Sequence, residues 1–199
     1  MQIGLIGLGT MGANLARNAA RNGAQVIVFN RTSEKTDSFI ATHSHEGQFV
    51  AAKSIDDFLN SFTERRVIVL MVKAGAAVDE VIQELMVSRS SLNDGDIIID
   101  AGNSHFADTE RRVKELSGVL PTIHYSLPAG TKIHFLGMGV SGGEEGALHG
   151  PSMMPGGSKV AFDLLKPLLE KMSASDGADG KCVAYMGEGG SGHFVKMVH

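Results

Sequence analysis

The chain opens on a short apolar run, Gln2-Ile3-Gly4-Leu5-Ile6, which passes directly into Gly7-Leu8-Gly9-Thr10-Met11-Gly12. The hexapeptide reads G-x-G-x-x-G. Met11, Leu15, Ala16, Ala19 and Ala20 then recur at helical spacing as far as Asn22-Gly23. The glycines therefore fall where a buried strand becomes a helix. Gly7 permits the tight turn there, Gly9 lets backbone approach a pyrophosphate, and Gly12 lets helix and strand pack closely. The helix start offers unpaired N–H groups and a positive dipole end to phosphates. A glycine turn without a ligand is the other reading. The second strand pattern that follows, Gln25 to Phe29, favours dinucleotide binding.

Strand and helix patterns then alternate. Ser33 to Ala41 reads as a short helix capped by Thr32 or Ser33, and His43 to Lys53 as a loop or small strand. Ser54-Ile55-Asp56-Asp57 resembles a capping box for a helix carrying Phe58, Leu59 and Phe62. Val67 to Val72 is a third strand, Ala76 to Met86 a helix, Asp96 to Asp100 a fourth strand and Asp108 to Leu116 a charged helix. Phe135 to Val140 is a fifth strand. Ser158 to Met172 is helical, with Pro167 kinking or dividing it. Cys182 to Met186 is a sixth strand, and Gly192 to His199 starts a last helix. Apolar strands separated by helices predict an α/β fold, a doubly wound, mostly parallel, Rossmann-like sheet covered on both faces. Residues 1–188 are expected to form this domain, and 189–199 to begin a connecting helix. Pro121 to His134 is too long for a helix-to-strand loop and is expected to be a surface insertion.

The net charge is −4 with no basic block, which argues against nucleic acid or an anionic membrane as partner. Cys182 is the single cysteine, so no internal disulfide forms, in keeping with a reducing, cytoplasmic compartment. No apolar run reaches membrane-spanning length. The apolar N-terminus lacks a basic flank and reads as a strand rather than a signal peptide.

In such a fold ligands lie beyond the carboxyl ends of the strands, which makes the segments just after them the functional ones. Asn30-Arg31-Thr32 ends the second strand. It holds no Asp or Glu for a ribose 2′-hydroxyl, but Arg31 could bind a 2′-phosphate, with Asn30 and Thr32 as further donors. The reading is NADP; the alternative is a solvated arginine beside a helix cap. Asn103 could bridge cofactor and substrate, or be a turn asparagine. Ser141-Gly142-Gly143 exposes a hydroxyl and backbone N–H groups suited to an anionic substrate. Lys196 and His199 share a helical face, and Phe194, Val195, Met197 and Val198 would give the lysine an apolar surround in which it could act as a base. Alone, it reads as an ordinary exposed lysine. The histidines show no zinc-ligand spacing and no metal site is expected; Met153-Met154 reads as packing.

The stretches GLIGLGTMGANLA, FNRT, VKAG, DIIIDAGNS, GVSGGEEGA, GPSMMPGG and GHFVKMVH, in this order, resemble the 6-phosphogluconate dehydrogenases, within the wider β-hydroxyacid dehydrogenase group. The resemblance implies NADP-dependent oxidative decarboxylation of 6-phosphogluconate to ribulose 5-phosphate in the pentose phosphate pathway, by a homodimer. It implies cofactor contacts at Gly7, Leu8, Gly9, Thr10, Met11, Gly12, Asn30, Arg31, Thr32, Val72, Lys73, Ala74 and Asn103. It implies substrate contacts at Asn103, Ser141, Gly142, Gly143 and His199, and Lys196 as general base. The family motif continues past the histidine to a glutamate, which protonates the enediol, and to a large helical domain. This sequence ends at His199, and is expected to be a cofactor domain cut inside its connecting helix and inactive alone. Two other expectations stay open: a dehydrogenase of another small 3-hydroxyacid such as 3-hydroxyisobutyrate, and a non-catalytic NADP-binding module should the natural chain end there.

Overall fold

The computed structural model describes residues 1–119, 130–178 and 180–199. Seven strands form one sheet: β1 (Gln2–Ile6), β2 (Gln25–Phe29), β3 (Gln48–Ala51), β4 (Val67–Leu70), β5 (Ile97–Asp100), β6 (His134–Ser141) and β7 (Ser152–Gly157). Their spatial order is β3-β2-β1-β4-β5-β6-β7. All pairs are parallel except β6 with β7. Among the described residues eight α-helices accompany them: α1 (Thr10–Arg21), α2 (Ser33–His43), α3 (Ile55–Asn60), α4 (Ala76–Val87), α5 (Phe106–Leu116), α6 (Gly143–His149), α7 (Lys159–Met172) and α8 (Ser191–Val198). The Rossmann-like doubly wound sheet expected from the sequence is the one observed.

Each central strand divides its residues between two cores because successive side chains point to opposite faces. Ile97 and Ile99 join Leu15, Ala16 and Ala19 of α1 and Leu165 and Leu169 of α7. Ile98 joins Phe58 and Leu59 of α3 with Ile82 and Leu85 of α4. Every residue of β4 and β5 is buried, and all but Asp100 contribute to one core or the other. Burial of each such Leu or Ile side chain is worth about 1.5–3 kcal/mol. Ser54 caps α3, its hydroxyl accepting from Asp57 N at 3.0 Å, while the Asp57 carboxylate accepts from Lys53 N at 2.8 Å. Thr32 is the N-cap of α2, but through its backbone only.

Three expectations change. Ser152–Gly157, to which the sequence pattern assigned no strand, is β7, running antiparallel to β6 with Met138 opposite Pro155. Its proline and two glycines hide it in sequence, yet Pro is tolerated at a sheet edge. Cys182 to Met186 is not a sixth strand. It lies along the outer side of β7, with Met153 N donating to Cys182 O (2.8 Å) and Met186 N to Pro155 O (2.8 Å). A regular ladder would need a bond from the nitrogen of residue 155, and proline has no N–H to give. Only the Met153–Val183 bridge forms. Finally, residues 121–129 of the expected insertion lie outside the described residues, while Ile133 is buried and His134 opens β6. Any peripheral segment therefore ends before them. Pro167 leaves α7 undivided.

Behind α1, Glu46 gathers two arginines and a histidine: Arg17 Nη2 at 2.9 Å, Arg21 Nη2 at 2.5 Å and His43 Nδ1 at 2.8 Å. Burial alone would raise its carboxyl, but the hydrogen bonds from Arg17, His43 and Arg21 outweigh it and hold the group at about 2, against an ordinary 4.5. A carboxyl depressed in the folded state contributes stability above its unfolded value and loses it as pH falls toward the folded one. Glu46→Gln is expected to cost on the order of 1–2 kcal/mol at neutral pH. Thermal unfolding across pH should show the gap to the parent protein shrinking below about pH 4.5 and closing near pH 2.

Candidate functional site

The strand order reverses between β1 and β4, opening a crevice at their carboxyl ends. Gly7 turns the chain there with φ +102°, and a Cβ on it would overlap the Met71 carbonyl oxygen. A Cβ on Gly12 would overlap the Gly7 carbonyl oxygen, so α1 lies directly on the turn. Gly9 differs: it is extended (φ −70°, ψ 177°), and a Cβ there would meet nothing within 4 Å. Its bare backbone faces open space beside the helix start. Asn30 braces the turn from β2, its Oδ1 accepting from Leu8 N at 2.9 Å.

A cleft of about 310 Å³ brings together Gly7, Gly9, Asn30, Arg31, Thr32, Val72 and Lys73 of the expected cofactor residues. Leu8, Thr10, Met11, Gly12, Ala74 and Asn103 are not in its walls. Lys35, on the first turn of α2, and Glu80, Val81 and Glu84 of α4 line it unanticipated. Lys35 follows Arg31 by four residues, a spacing that places two cations at one strand end; that was a legible signal. The α4 residues were not foreseeable, because only folding turns that helix toward β2.

On the far side of the sheet Ser141 ends β6, and Gly142 (φ +127°) and Gly143 (φ +62°) lead into α6. Lys196 of α8 donates from Nζ to Ser141 Oγ at 2.7 Å, joining residues 55 apart in sequence. The apolar surround expected for Lys196 from its own helix is not formed, since Phe194, Met197 and Val198 are exposed. Lys196 is half-buried by the sheet instead. Asn103 and His199 are both exposed, and among the described residues neither hydrogen-bonds to the Lys196–Ser141 pair.

Sequence reasoning missed what holds the loops. Arg112 of α5, with no exposed surface, donates through Nε and Nη2 to Asp79 (2.9 and 2.8 Å) and through Nη2 to Gly75 O (3.1 Å). Its Nη1 reaches Ser104 Oγ at 3.3 Å and Asp100 Oδ2 at 3.4 Å. Ser104 donates to Asp100 Oδ2 at 2.6 Å, and Gly102 N to Asp100 Oδ1 at 3.1 Å. One guanidinium thus fixes both the loop after Lys73-Ala74 and the loop carrying Asn103. The Thr109–Arg112–Leu116 spacing was the available signal for a buried arginine. Beside them His193 is buried, its Nδ1 2.6 Å from Thr109 Oγ1. Burial lowers its pKa, opposed by the Asp100 charge and helped by that of Arg112. No group of three or more His, Cys, Asp or Glu side chains that could hold a metal occurs among the described residues.

Removing one partner of a buried ion pair strands the other charge, at a cost of about 3–5 kcal/mol. Arg112→Met is expected to lose that much in denaturant unfolding, far more than a surface arginine.

The geometry matches known proteins. Residues 2–187 match the family model described as the NAD binding domain of 6-phosphogluconate dehydrogenase. A decarboxylating 6-phosphogluconate dehydrogenase of Synechococcus elongatus is 50% identical over 198 residues, covering 100% of this chain and 39% of the relative. An NADP(+)-dependent, decarboxylating 6-phosphogluconate dehydrogenase of Bacillus subtilis is 49% identical over 199 residues, with the same shares. A 6-phosphogluconate dehydrogenase of Plasmodium falciparum, solved in its apo form and with NADP+ or 6-phosphogluconate, superposes with TM-score 0.87 at 40% identity, over 100% of this chain and 39% of that one. The chain thus spans well under half the length of these relatives, and it belongs to the family of NAD-binding domains of 6-phosphogluconate dehydrogenase.

Proposed function

We propose that this chain is the cofactor domain of an NADP-dependent, decarboxylating 6-phosphogluconate dehydrogenase, and that Lys196 is its base. The single observation that carries the reading is the 2.7 Å contact between Lys196 and Ser141 at the carboxyl end of β6, two strands from β4 in the same sheet. The crevice suits a dinucleotide: the turn at Gly7 is tight, and Gly9 leaves unfilled the space a phosphate would need. Gly7 to Gly12, with Asn30, Arg31, Thr32, Val72, Lys73, Ala74 and Asn103, hold the cofactor in this reading. When bound, the nicotinamide supplies the hydride acceptor.

Lys196, unprotonated, takes the proton of the substrate's C3 hydroxyl. As C3 also gives up its hydride to the acceptor it becomes a carbonyl, and the electron pair of the C1–C2 bond flows toward that carbonyl as the C1 carboxylate leaves as carbon dioxide. The protonated Lys196 returns its proton to that oxygen as the enediol forms. Ser141 holds the lysine and, with Gly142, Gly143, Asn103 and His199, receives the substrate. The relatives' remaining length is where a helical domain, the proton donor to substrate C2 (C1 of the product) and the dimer contacts are proposed to lie. The proposed site is cytoplasmic, in the pentose phosphate pathway. The other small-hydroxyacid reading is disfavoured by Arg31 and by the GGEEGA loop.

Arg31 is exposed at the rim of the cleft beside Lys35, and neither Asp nor Glu ends β2. A charge-assisted contact to a 2′-phosphate is worth about 1.5–3 kcal/mol, so Arg31→Ala should weaken NADP binding roughly ten- to a hundredfold by calorimetry and leave NAD nearly unaffected. Equal affinities for the two cofactors before mutation would refute the assignment. In the domain joined to the remaining length of its relatives, Lys196→Met should abolish NADPH formation from 6-phosphogluconate with NADP affinity unchanged. Retained turnover would remove Lys196 from the mechanism.

A further inference from the structure

Helix α8 meets the sheet along one line. β6 turns Gly137, Gly139 and Ser141 to the same face, because alternate strand residues share a side. His193 and Lys196, three residues apart, share a face of α8. A Cβ on Gly137 would stand 2.8 Å from His193 Nδ1, and one on Gly139 would overlap the Lys196 Cβ. A Cβ on Gly192 would overlap the carbonyl oxygens of Gly137 and Met154. Backbone contact this close fixes how near α8 lies to β6 and β7. It confines α8 to rotations that keep Gly192 on the sheet, and leaves the finer setting to side-chain contacts.

Two side chains of α8 reach α5. Phe194, itself exposed, packs edge to face on Phe106 with ring centroids 5.3 Å apart, and His193 is the buried one; Met197 and Val198 are exposed. His193 is 2% exposed, with Nδ1 2.6 Å from Thr109 Oγ1, and Thr109 is fully buried on α5. Its Nε2 is buried with no hydrogen-bond partner among the described residues, and the backbone of Asp100 and Gly102 faces the same ring. The imidazole thus stands between α5, the loop after β5 and the helix that carries the lysine.

We propose that His193 is a positioning residue for the reaction: it keys α8 to α5 and so sets the rotation that brings Lys196 Nζ to the Ser141 hydroxyl. The inference rests on the reading of Lys196 as base. Thr109 and His193 would then decide whether that base is presented, while the cofactor crevice stands independent of them.

The test reads the Lys196 ammonium itself by 15N NMR of lysine-labelled protein, assigned with Lys196→Arg. Such a signal survives exchange with water only where a hydrogen bond holds its protons. It should be present in the parent protein, lost in His193→Leu, and restored in His193→Asn, whose amide N–H can occupy the Nδ1 position. Thr109→Val removes the same hydrogen bond without touching α8 and should also lose it, which keeps the test open if His193→Leu does not fold. NADP affinity, measured alongside, should stay within about twofold in each folded variant, or about 0.4 kcal/mol. Persistence of the signal in folded His193→Leu or Thr109→Val, or no recovery in His193→Asn, overturns the proposal. No turnover enters this readout, so a parent protein found inactive on 6-phosphogluconate would count against the function proposed above and not against the placement of Lys196.

Discussion

Arg112 carries a full charge with no exposed surface, and acceptors from α4, from the loop after β4 and from the end of β5 surround it. A buried charge is tolerated only when paired and hydrogen-bonded on all sides. That requirement ties separate segments into one geometry: Asp79, Gly75, Asp100 and Ser104 cannot move independently without stranding a charge. The loops so fixed are the ones that follow β4 and β5, beside the point where strand order reverses. Replacing such a pair by apolar groups of similar volume is often neutral or stabilising. Its consequence here is therefore sought in loop position rather than in stability alone.

Close backbone approach is the second constraint, and it serves two ends of the site differently. At Gly12 it seats α1 on the first turn, which points the helix start into the crevice. At Gly137, Gly139, Gly156 and Gly192 it lets α8 lie on β6 and β7, which carries Lys196 to Ser141. The two halves are also joined on the opposite face. Asn18 of α1, buried, donates to Ala147 O of α6 and Met172 O of α7, both at 3.0 Å. One side chain thus satisfies carbonyls at the ends of two helices, where no intrahelical donor remains. Asn14, one turn earlier, donates to Glu144 O at 3.0 Å. The helix that starts at the glycine turn is thereby held to the helix that starts at Gly143.

Local pattern alone determined much of this. The period of the apolar residues placed β1, β2, β4, β5 and β6 and most helices, because a strand buried on both faces must be apolar throughout and a helix on its surface must be striped. The glycine turn, the tail Asn30-Arg31-Thr32 and Ser141-Gly142-Gly143 were legible because each sits at a strand end, and the order of elements says which ends matter. Only the tertiary structure decided the rest. Pro155 made β7 look like a loop, since its missing N–H is harmless at an antiparallel edge but disqualifying elsewhere, and the same missing group kept Cys182 to Met186 from becoming a strand. Arg112 looked like any charge on a charged helix until Asp79 and Asp100, far apart in sequence, closed around it. His193 looked like one of eight histidines until Gly137 left room for it beside Thr109. Periodicity reports which face of a segment is buried, but not which polar groups meet there, because those meetings depend on distances between elements that no local pattern contains.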